Sequence, residues 1–598
     1  MIKYARNVPE SRRHYRYPWH MTDPQLVLTE RVQQALAAAF GAEYSDADPL
    51  IRPSQFADYQ ANVAMSLSKR LRRAPREVAQ EIADRLTAES AFPGTVEVSG
   101  PGFLNITLDD SWIAGQAAEI LADPRTGVAA ASAPQTVVID YSAPNAAKEM
   151  HVGHLRTTIV GDALVRVHEH LGNKVVRQNH LGDWGTPFGM LIEHLLDIGE
   201  EAAIAQLEAG EGNEYYQAAR VKFDSDPEFN KRARARVVTL QAEEPETMRL
   251  WHLFMDATVR YFNKVYHRLG VTLTDEDIAG ESMYNAMLSQ VCDELQDRGI
   301  AVVSDGALCV FPPGYTGREG QPLPFMIRKS DGGYGYATTD MATIRYRVQD
   351  LKADRILYVI GATQALHMSM LFDSARIAGW LPDHVRAEHV QIGSVLGSDG
   401  KMFKTRSGKS IKLLDLLDEA DVRAAAVIAD REYDDAARAE IAHAVGMGAV
   451  KYADLSVSHD SEYVFDFDRM LALTGNTGPY LQYATARIRS IFRRGGVAPA
   501  EATGPIVLGH PAERALALRL LGFGAAVEEM AEGSAPHKVA TFLFETASAF
   551  TAFYENCPVL KEGVDEATRA SRLALCALTL RVLETGLDLL GVPVPERM

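Results

Sequence analysis

The chain is poor in the features that mark oxidised, membrane-bound or strongly basic proteins. Its 598 residues include four cysteines, Cys292, Cys309, Cys557 and Cys576. They are too scattered for a paired zinc site and too few for a disulfide framework, which fits a reducing cytoplasm. No apolar run is long enough to span a bilayer and no secretory h-region is recognisable, so no membrane association is expected. Positive charge is scarce: the net charge is −18, and any surface for a polyanion must be local. Two strips could supply one, Lys69 to Arg73 with Arg76, and Arg487, Arg489, Arg493 and Arg494. Either is also the ordinary pattern of a solvated helix face. Internal repeats and low-complexity tracts are absent.

What is present is a globular composition, 47% hydrophobic and 23% charged, in a chain too long for one core, so roughly three or four domains are expected. One segment stands out. Thr136 to Asp140 is a β-branched, apolar strand pattern, Ser142 to Asn145 a turn, and His151 to Leu171 carries apolar residues at helical spacing before a stop at Gly172 and Asn173. Lys174 to Leu181 then reads as a second strand, completing a Rossmann-type strand–helix–strand unit. The helix start offers N–H groups and a positive dipole end to a triphosphate. His151 and His154 share a face there, with Gly153 between them bare enough for a flat base to approach and Lys148 adding charge upstream. Alone, such histidines are usually caps. Farther on, Lys401 and Lys404 flank Met402 in a loop bracketed by Gly397, Gly400 and Gly408. Alone, that is usually a solvated loop. In this order, a strand–helix unit with paired histidines and a distant lysine loop point to an ATP-using, adenylate-forming enzyme, the lysines stabilising charge at the α-phosphate and on departing pyrophosphate.

On these residues the chain resembles the class I aminoacyl-tRNA synthetases, and within them the bacterial arginyl branch. His151 to His154 is similar to that family's His-Ile-Gly-His element, and Lys401 to Thr405 to its Lys-Met-Ser-Lys-Ser element. The stretches Ser142–His151, Asn179–Thr186, Arg328–Tyr334, Tyr336–Asp340, Pro479–Tyr483 and Pro595–Met598 resemble the arginyl branch as well. The resemblance implies an α/β fold: a Rossmann-type parallel-sheet catalytic domain with a helical insertion, a small N-terminal α/β domain and a C-terminal all-helical domain. The expected division is a disordered leader at 1–20, a tRNA D-loop-binding domain at 21–108 and a linker at 109–135. A catalytic domain at 136–395 with an insertion at about 195–320, the lysine-loop region at 396–412 and an anticodon-binding domain at 413–598 complete it. A β-hairpin is expected at Ser304 to Gly306.

The resemblance further implies arginine–tRNA ligase activity: arginyl-adenylate forms from L-arginine and ATP with Mg²⁺, and the arginyl group passes to tRNA(Arg). His151, His154, Lys148, Lys401 and Lys404 would be catalytic, with His151, Gly153, His154, Met402 and Lys404 around ATP. A guanidinium calls for a fixed carboxylate with aromatic or amide neighbours, and Asp140, Asn145, Tyr336, Asp340 and Gln364 are expected to bind arginine. Tyr59, Gln60 and Asn62, together with Tyr480, Tyr483 and Met598, are expected to touch tRNA. A helix N-cap is the ordinary alternative for Asp340, and core packing for Tyr59 and Trp184. No protein-bound metal is expected, and a monomer is. Gly361, Thr363, His459 and Thr474 depart from the bacterial pattern, which leaves open a divergent paralogue serving inhibitor resistance or specialised metabolism. A non-catalytic tRNA-binding regulator and a tRNA-independent nucleotidyltransferase are the readings from other classes.

Overall fold

The computed structural model describes residues 23–89, 92–146, 148–403, 411–429 and 433–598; the expected leader at 1–20 and Lys404 fall outside them. Asp23 starts the first helix, its carboxylate accepting from the Leu26 amide with Pro24 at the first helical position, a preorganised start that leaves fewer amides bare. This helix, α1 (Pro24–Phe40), with α2 (Val63–Leu71) and α3 (Pro75–Ala88), packs on one four-stranded antiparallel sheet. Its strands are β1 (Arg52–Pro53), β2 (Tyr59–Ala61), β3 (Gly94–Ser99) and β4 (Phe103–Leu108), in the order β1-β2-β4-β3.

The segment expected as a linker, 109–135, is partly helical. It carries α4 (Asp110–Ala122), whose Ile113, Ala117 and Ile120 are buried. Arg581 from near the far end of the chain donates to the carbonyls of Leu121 and Asp123, just where the helix runs out of internal donors.

The catalytic sheet is all parallel, in the order β11-β10-β5-β6. It comprises β5 (Thr136–Asp140), β6 (Lys174–Gln178), β10 (Arg355–Gly361) and β11 (Arg386–Ile392). Alternation splits β5 between two cores: Val137 and Ile139 join the core on the side of α5 (Val152–His170), while Val138 joins Ile356 and Met341 on the other. Helices α6 (Thr186–Ile198), α7 (Glu200–Glu208), α8 (Gly212–Ser225), α9 (Pro227–Gln241) and α10 (Pro245–Leu269) follow β6. After α11 (Leu288–Asp297) comes a separate antiparallel sheet, β7 (Ala301–Ser304), β8 (Ala307–Val310) and β9 (Phe325–Arg328). The expected hairpin is its β7–β8 turn, with Asp305 and Gly306 both at positive φ. Because β9 pairs with β8, the insertion reaches beyond residue 320, and the catalytic sheet resumes at β10. Helices α12 (Tyr336–Gln349) and α13 (Ala365–Ile377) cover its second face.

A short strand, β12 (Val395–Leu396), pairs in parallel with β13 (Tyr463–Val464). The remainder is helical: α14 (Leu413–Val427), α15 (Asp435–Leu455), α16 (Phe467–Met470), α17 (Gly478–Gly495), α18 (Pro511–Leu520), α19 (Phe523–Glu532), α20 (His537–Asn556) and α21 (Glu566–Leu589). No described helix is long and apolar enough to cross a membrane.

Charged side chains join these layers. Arg514 on α18 grips both oxygens of Asp58 at 2.7 and 2.8 Å and reaches Asp110 at 2.6 Å, fixing the N-terminal module to the helical one. Arg156 on α5 is wholly buried and donates to Asp454 on α15 at 3.0 Å and to the Ser461 carbonyl at 2.8 Å. Removing one partner of such a pair strands the other charge in the interior. Asp454→Ala is therefore expected to cost about 3–5 kcal/mol, read as a lower urea midpoint for the full-length protein. An unchanged midpoint would take this pair out of the fold's support.

Candidate active site

The site opens at the carboxyl ends of the parallel strands, where such sheets bind ligands. Just past β5, Ser142 and Ala143 adopt successive left-handed conformations (φ 68° and 47°), costly for residues with a Cβ. A buried network holds them there. Ser142 Oγ lies 2.8 Å from the Tyr266 hydroxyl, Asn179 donates to that hydroxyl and accepts from the Ala143 amide, and Thr158 donates to Ser142. The turn delivers Asn145, exposed, to a bridge with Gly182, where a Cβ would sit 2.5 Å from the Asn145 amide oxygen. Asp140, expected to add a carboxylate to the amino-acid pocket, is turned inward instead. It is buried and paired at 2.7 Å with Arg347, which also donates to Gln178 and lies over the Tyr358 ring.

The helix start differs from expectation in its detail. His151 is the N-cap of α5. Its Nδ1 accepts from the Gly153 amide at 3.0 Å, and His154 Nδ1 accepts from the His151 amide at 3.1 Å, with the rings 4.1 Å apart. The Val152 amide donates to Ile411 and the His154 amide to the His151 carbonyl. The first N–H groups of the helix are thus engaged, and the expected bare backbone cradle is absent. The rings offer a different donor set. With both Nδ1 atoms accepting, each neutral imidazole keeps its proton on Nε2. Burial and the Lys148 ammonium lower the His151 pKa, while burial and the neighbouring His151 lower that of His154 to about 3. Gly153 has a local cause too: a Cβ there would meet the folded-back His151 ring at 2.7 Å. Lys148 rests over the Tyr216 ring of α8 at 4.7 Å.

The lysine loop begins as a hairpin: the Gly397 amide donates to the Lys401 carbonyl at 2.7 Å, Leu396 bridges Met402, and Lys401 and Met402 are exposed. Phe403 stacks on Phe465 with centroids 4.8 Å apart. On the far side of the loop, Leu413 donates to Met150, His151 bridges Lys412, and the Lys412 ammonium pairs with Glu149 at 2.7 Å. Backbone pairing thus seats the end of the loop against the histidine cap. Lys412 and Glu149 escaped the sequence reading because nothing in either segment announces the other.

Tyr336 and Asp340 occupy the first turns of α12, whose cap is Gly335, so Asp340 is not the N-cap. Tyr336 is 74% exposed, and Gln364, exposed, precedes α13 across the way. Two further groups join them. His367 Nε2 lies 2.5 Å from Asp340 Oδ2. Glu281, in a 3-10 turn within the insertion, has its pKa pushed up to about 8 by burial and by the carboxylates of Asp183 and Asp340. That clustering of carboxyl groups suits an incoming cation. Only the nearness of Gly280 and Ser282 to Asp183 marks Glu281, and that is a fact of the fold: a Cβ on Gly280 would meet Asp183 at 2.2 Å, and Ser282 donates to Asp183 twice. Trp184 packs edge-on against Trp251.

The remaining candidates lie well away from this cleft. Tyr59 is half-buried against the N-terminal core, its phenol pushed upward first by burial and then by Asp23. Gln60 donates to Asn105 at 2.8 Å, and Asn62 precedes α2 without capping it through its side chain. On α17, the Tyr480 hydroxyl lies 3.3 Å from that of Thr551, and the Tyr483 hydroxyl accepts from Arg487. Arg489 and Gln482 donate to the carbonyls of Pro595 and Pro593, and Met598 rests half-buried on the same core. His459 joins its ring to the Gln391 carbonyl and its own carbonyl to the Gly393 amide.

Comparison with known proteins covers the chain nearly end to end. Residues 26–108 match the family described as arginyl tRNA synthetase N terminal domain, 116–467 that described as tRNA synthetases class I (R), catalytic domain, and 481–598 the DALR anticodon binding domain. The arginine–tRNA ligase of Thermobifida fusca is 62% identical over 97% of this chain and 100% of its own length. That of Frankia casuarinae is 52% identical over 96% and 99%. Among solved structures, the arginyl-tRNA synthetase of Plasmodium falciparum gives a TM-score of 0.80 at 26% identity, covering 96% of this chain and 99% of its own. The Thermus thermophilus enzyme gives 0.78 at 25%, covering 96% and 100%. With the histidine cap and the carboxylate cluster beside one parallel sheet, the lysine hairpin following its last strand, and these similarities spanning all three modules, the chain belongs to the class I arginyl-tRNA synthetase family.

Proposed function

We propose that this protein activates L-arginine with ATP to arginyl-adenylate and transfers the arginyl group to the 3′ end of tRNA(Arg). The observation that carries this reading is the pairing, across one cleft, of neutral imidazole donors at the start of α5 with a cluster of carboxyl groups around Asp340. In the first step the arginine carboxylate attacks the α-phosphorus in line and pyrophosphate departs. His151 and His154 donate through Nε2–H to phosphate oxygens, and Lys148, Lys401 and Lys404 supply positive charge as negative charge shifts onto the leaving group. Mg²⁺ arrives on the phosphates as part of the nucleotide substrate. Gly153 and Met402 flank the nucleotide.

Asp340 receives the guanidinium, with Glu281, Tyr336 and Gln364 around it, while Asn145 holds the α-amino end. Asp140 supports this pocket from behind, by fixing Arg347 at the root of α12. Tyr59, Gln60 and Asn62 meet the D-loop; Tyr480, Tyr483 and Met598 meet the anticodon arm. The protein works as a monomer in the cytoplasm. In the second step the terminal adenosine hydroxyl attacks the mixed anhydride and AMP leaves, with no covalent enzyme intermediate.

Three experiments test the reading. ATP–pyrophosphate exchange, run with and without arginine and with and without tRNA, is expected only when both are present. Asp340→Asn should cost about 2–4 kcal/mol in arginine kcat/KM, and undiminished discrimination against citrulline in that variant would remove Asp340 from the pocket. The histidine chemistry separates by substitution. His154→Asn keeps an acceptor for the His151 amide but loses the Nε2 donor, so adenylate formation is expected to fall about 10²–10³-fold with little loss of stability. His154→Gln restores a donor near Nε2 at the expense of the cap and should keep more activity in a less stable protein. The opposite ranking would contradict the Nε2–H assignment.

A further inference from the structure

Beside the pocket carboxylate stands a group outside both ATP motifs. His367 lies in the first turn of α13, and its bond to Asp340 uses one carboxylate oxygen, Oδ2, leaving Oδ1 for a second donor. The two side chains are 30% and 25% exposed, so solute reaches the pair. The Phe325 ring of β9 packs against the imidazole, centroids 5.3 Å apart, and limits its swing. The groups facing Asp340 from other elements are Glu281, with Asp183 behind it, and Tyr358 of β10; Tyr336 precedes Asp340 on α12. None of these is a cation. Arg347, which lies against Tyr358, is already committed to Asp140. An imidazolium at this position is the electrostatic counterpart of the guanidinium the pocket awaits.

We propose that His367 is a positioning residue of the arginine pocket: its imidazolium holds Asp340 by one oxygen in the empty protein, and the arriving guanidinium takes over that charge, so the imidazole releases a proton to solvent as arginine binds. The inference rests on the assignment of Asp340 to the guanidinium. The N–H bond of the imidazolium is the only bond broken, and buffer accepts the proton.

The direction of the pH dependence follows. The hydrogen bond and charge of Asp340 raise the His367 pKa above 6.5, and a guanidinium on the same carboxylate pushes it back down. Below the raised value arginine must displace a proton and binds more weakly; above it the imidazole is neutral and arginine binds more tightly. Glu281, at about 8, loses a proton on arginine binding in an overlapping window, so a substitution at His367 is needed to separate the two.

The test is calorimetric titration of arginine into the full-length protein between pH 6 and 8.5, in buffers of different ionisation enthalpy, for wild type, His367→Gln and His367→Leu. Wild type should show affinity rising with pH, by at most about tenfold per pH unit for each proton released. His367→Gln, a neutral donor reaching the Nε2 position, should bind arginine with a smaller proton release. His367→Leu, which cannot hold Asp340, should bind arginine about tenfold more weakly while ATP affinity stays at the wild-type value. Equal proton release in wild type and His367→Gln would overturn the proposal while leaving the pocket assignment standing. A wild-type protein that binds no arginine at any pH would overturn both. A check independent of variants is the His367 imidazole titration, followed by NMR of histidine-labelled wild type: its pKa should fall when arginine is added, and an unmoved pKa would also overturn the proposal.

Discussion

A charge inside a protein must be answered by another, and helix α5 carries three buried ionisable groups with the half-buried Arg166 beside them. Arg156 is answered by Asp454, Asp162 by the amide and hydroxyl of Thr272, and Arg166 by Asp162, by Asp588 and by the carbonyl of Gly270 at the end of α10. His168 stays neutral, its pKa lowered to about 3 by burial and by Arg355 and Arg386. The partners come from the insertion and from the helical module. Lys451 closes the junction by donating to the Leu269 carbonyl from a fully buried position. Desolvation makes each such group costly alone and tolerable only in company, so the helix bearing the histidine cap is locked to every layer around it. The geometry of the ATP site inherits its rigidity from that requirement.

The same economy of polar groups explains the active-site chemistry. Four backbone N–H groups at a helix start usually wait for a ligand or a side chain. Here the histidines and the returning chain at Ile411 take up the first of them, and the donors left at this helix start are two imidazole protons fixed by the bonds their other nitrogens make. The lysine hairpin is similarly tied, by the Phe403–Phe465 stack on one side and by Lys412 and Glu149 on the other.

How much of this was legible in the sequence follows from the range of each signal. The unit β5–α5–β6 could be read because period-2 and period-3.6 patterns are local, and the Asp305–Gly306 turn because two positive φ angles call for such residues. Helix α4 was hidden in an expected linker because Gln116 interrupts its buried face of Ile113, Ala117 and Ile120, while Trp112, Ala114, Ala118 and Leu121 spread apolar surface round the helix and blur its stripe. Asp140 could be picked out as an important carboxylate at a strand end, but its commitment to Arg347, 207 residues away, could not. Glu281 and His367 sit in a 3-10 turn and a first helical turn, where periodicity carries no information about which side chains will converge. Gly153 was noticed for open space, whereas its neighbour His151 fills that space.

Arg156 also sets a timetable. Its partner Asp454 lies 298 residues farther along, which at about 5–20 residues per second of synthesis means roughly 15–60 s between the two. During that interval α5 waits with a bare guanidinium, and the sheet beneath it is completed only when β10 and β11 have been made. The nascent chain therefore carries an unanswered charge through much of its synthesis, and slow codons placed before α15 would lengthen its exposure to aggregation.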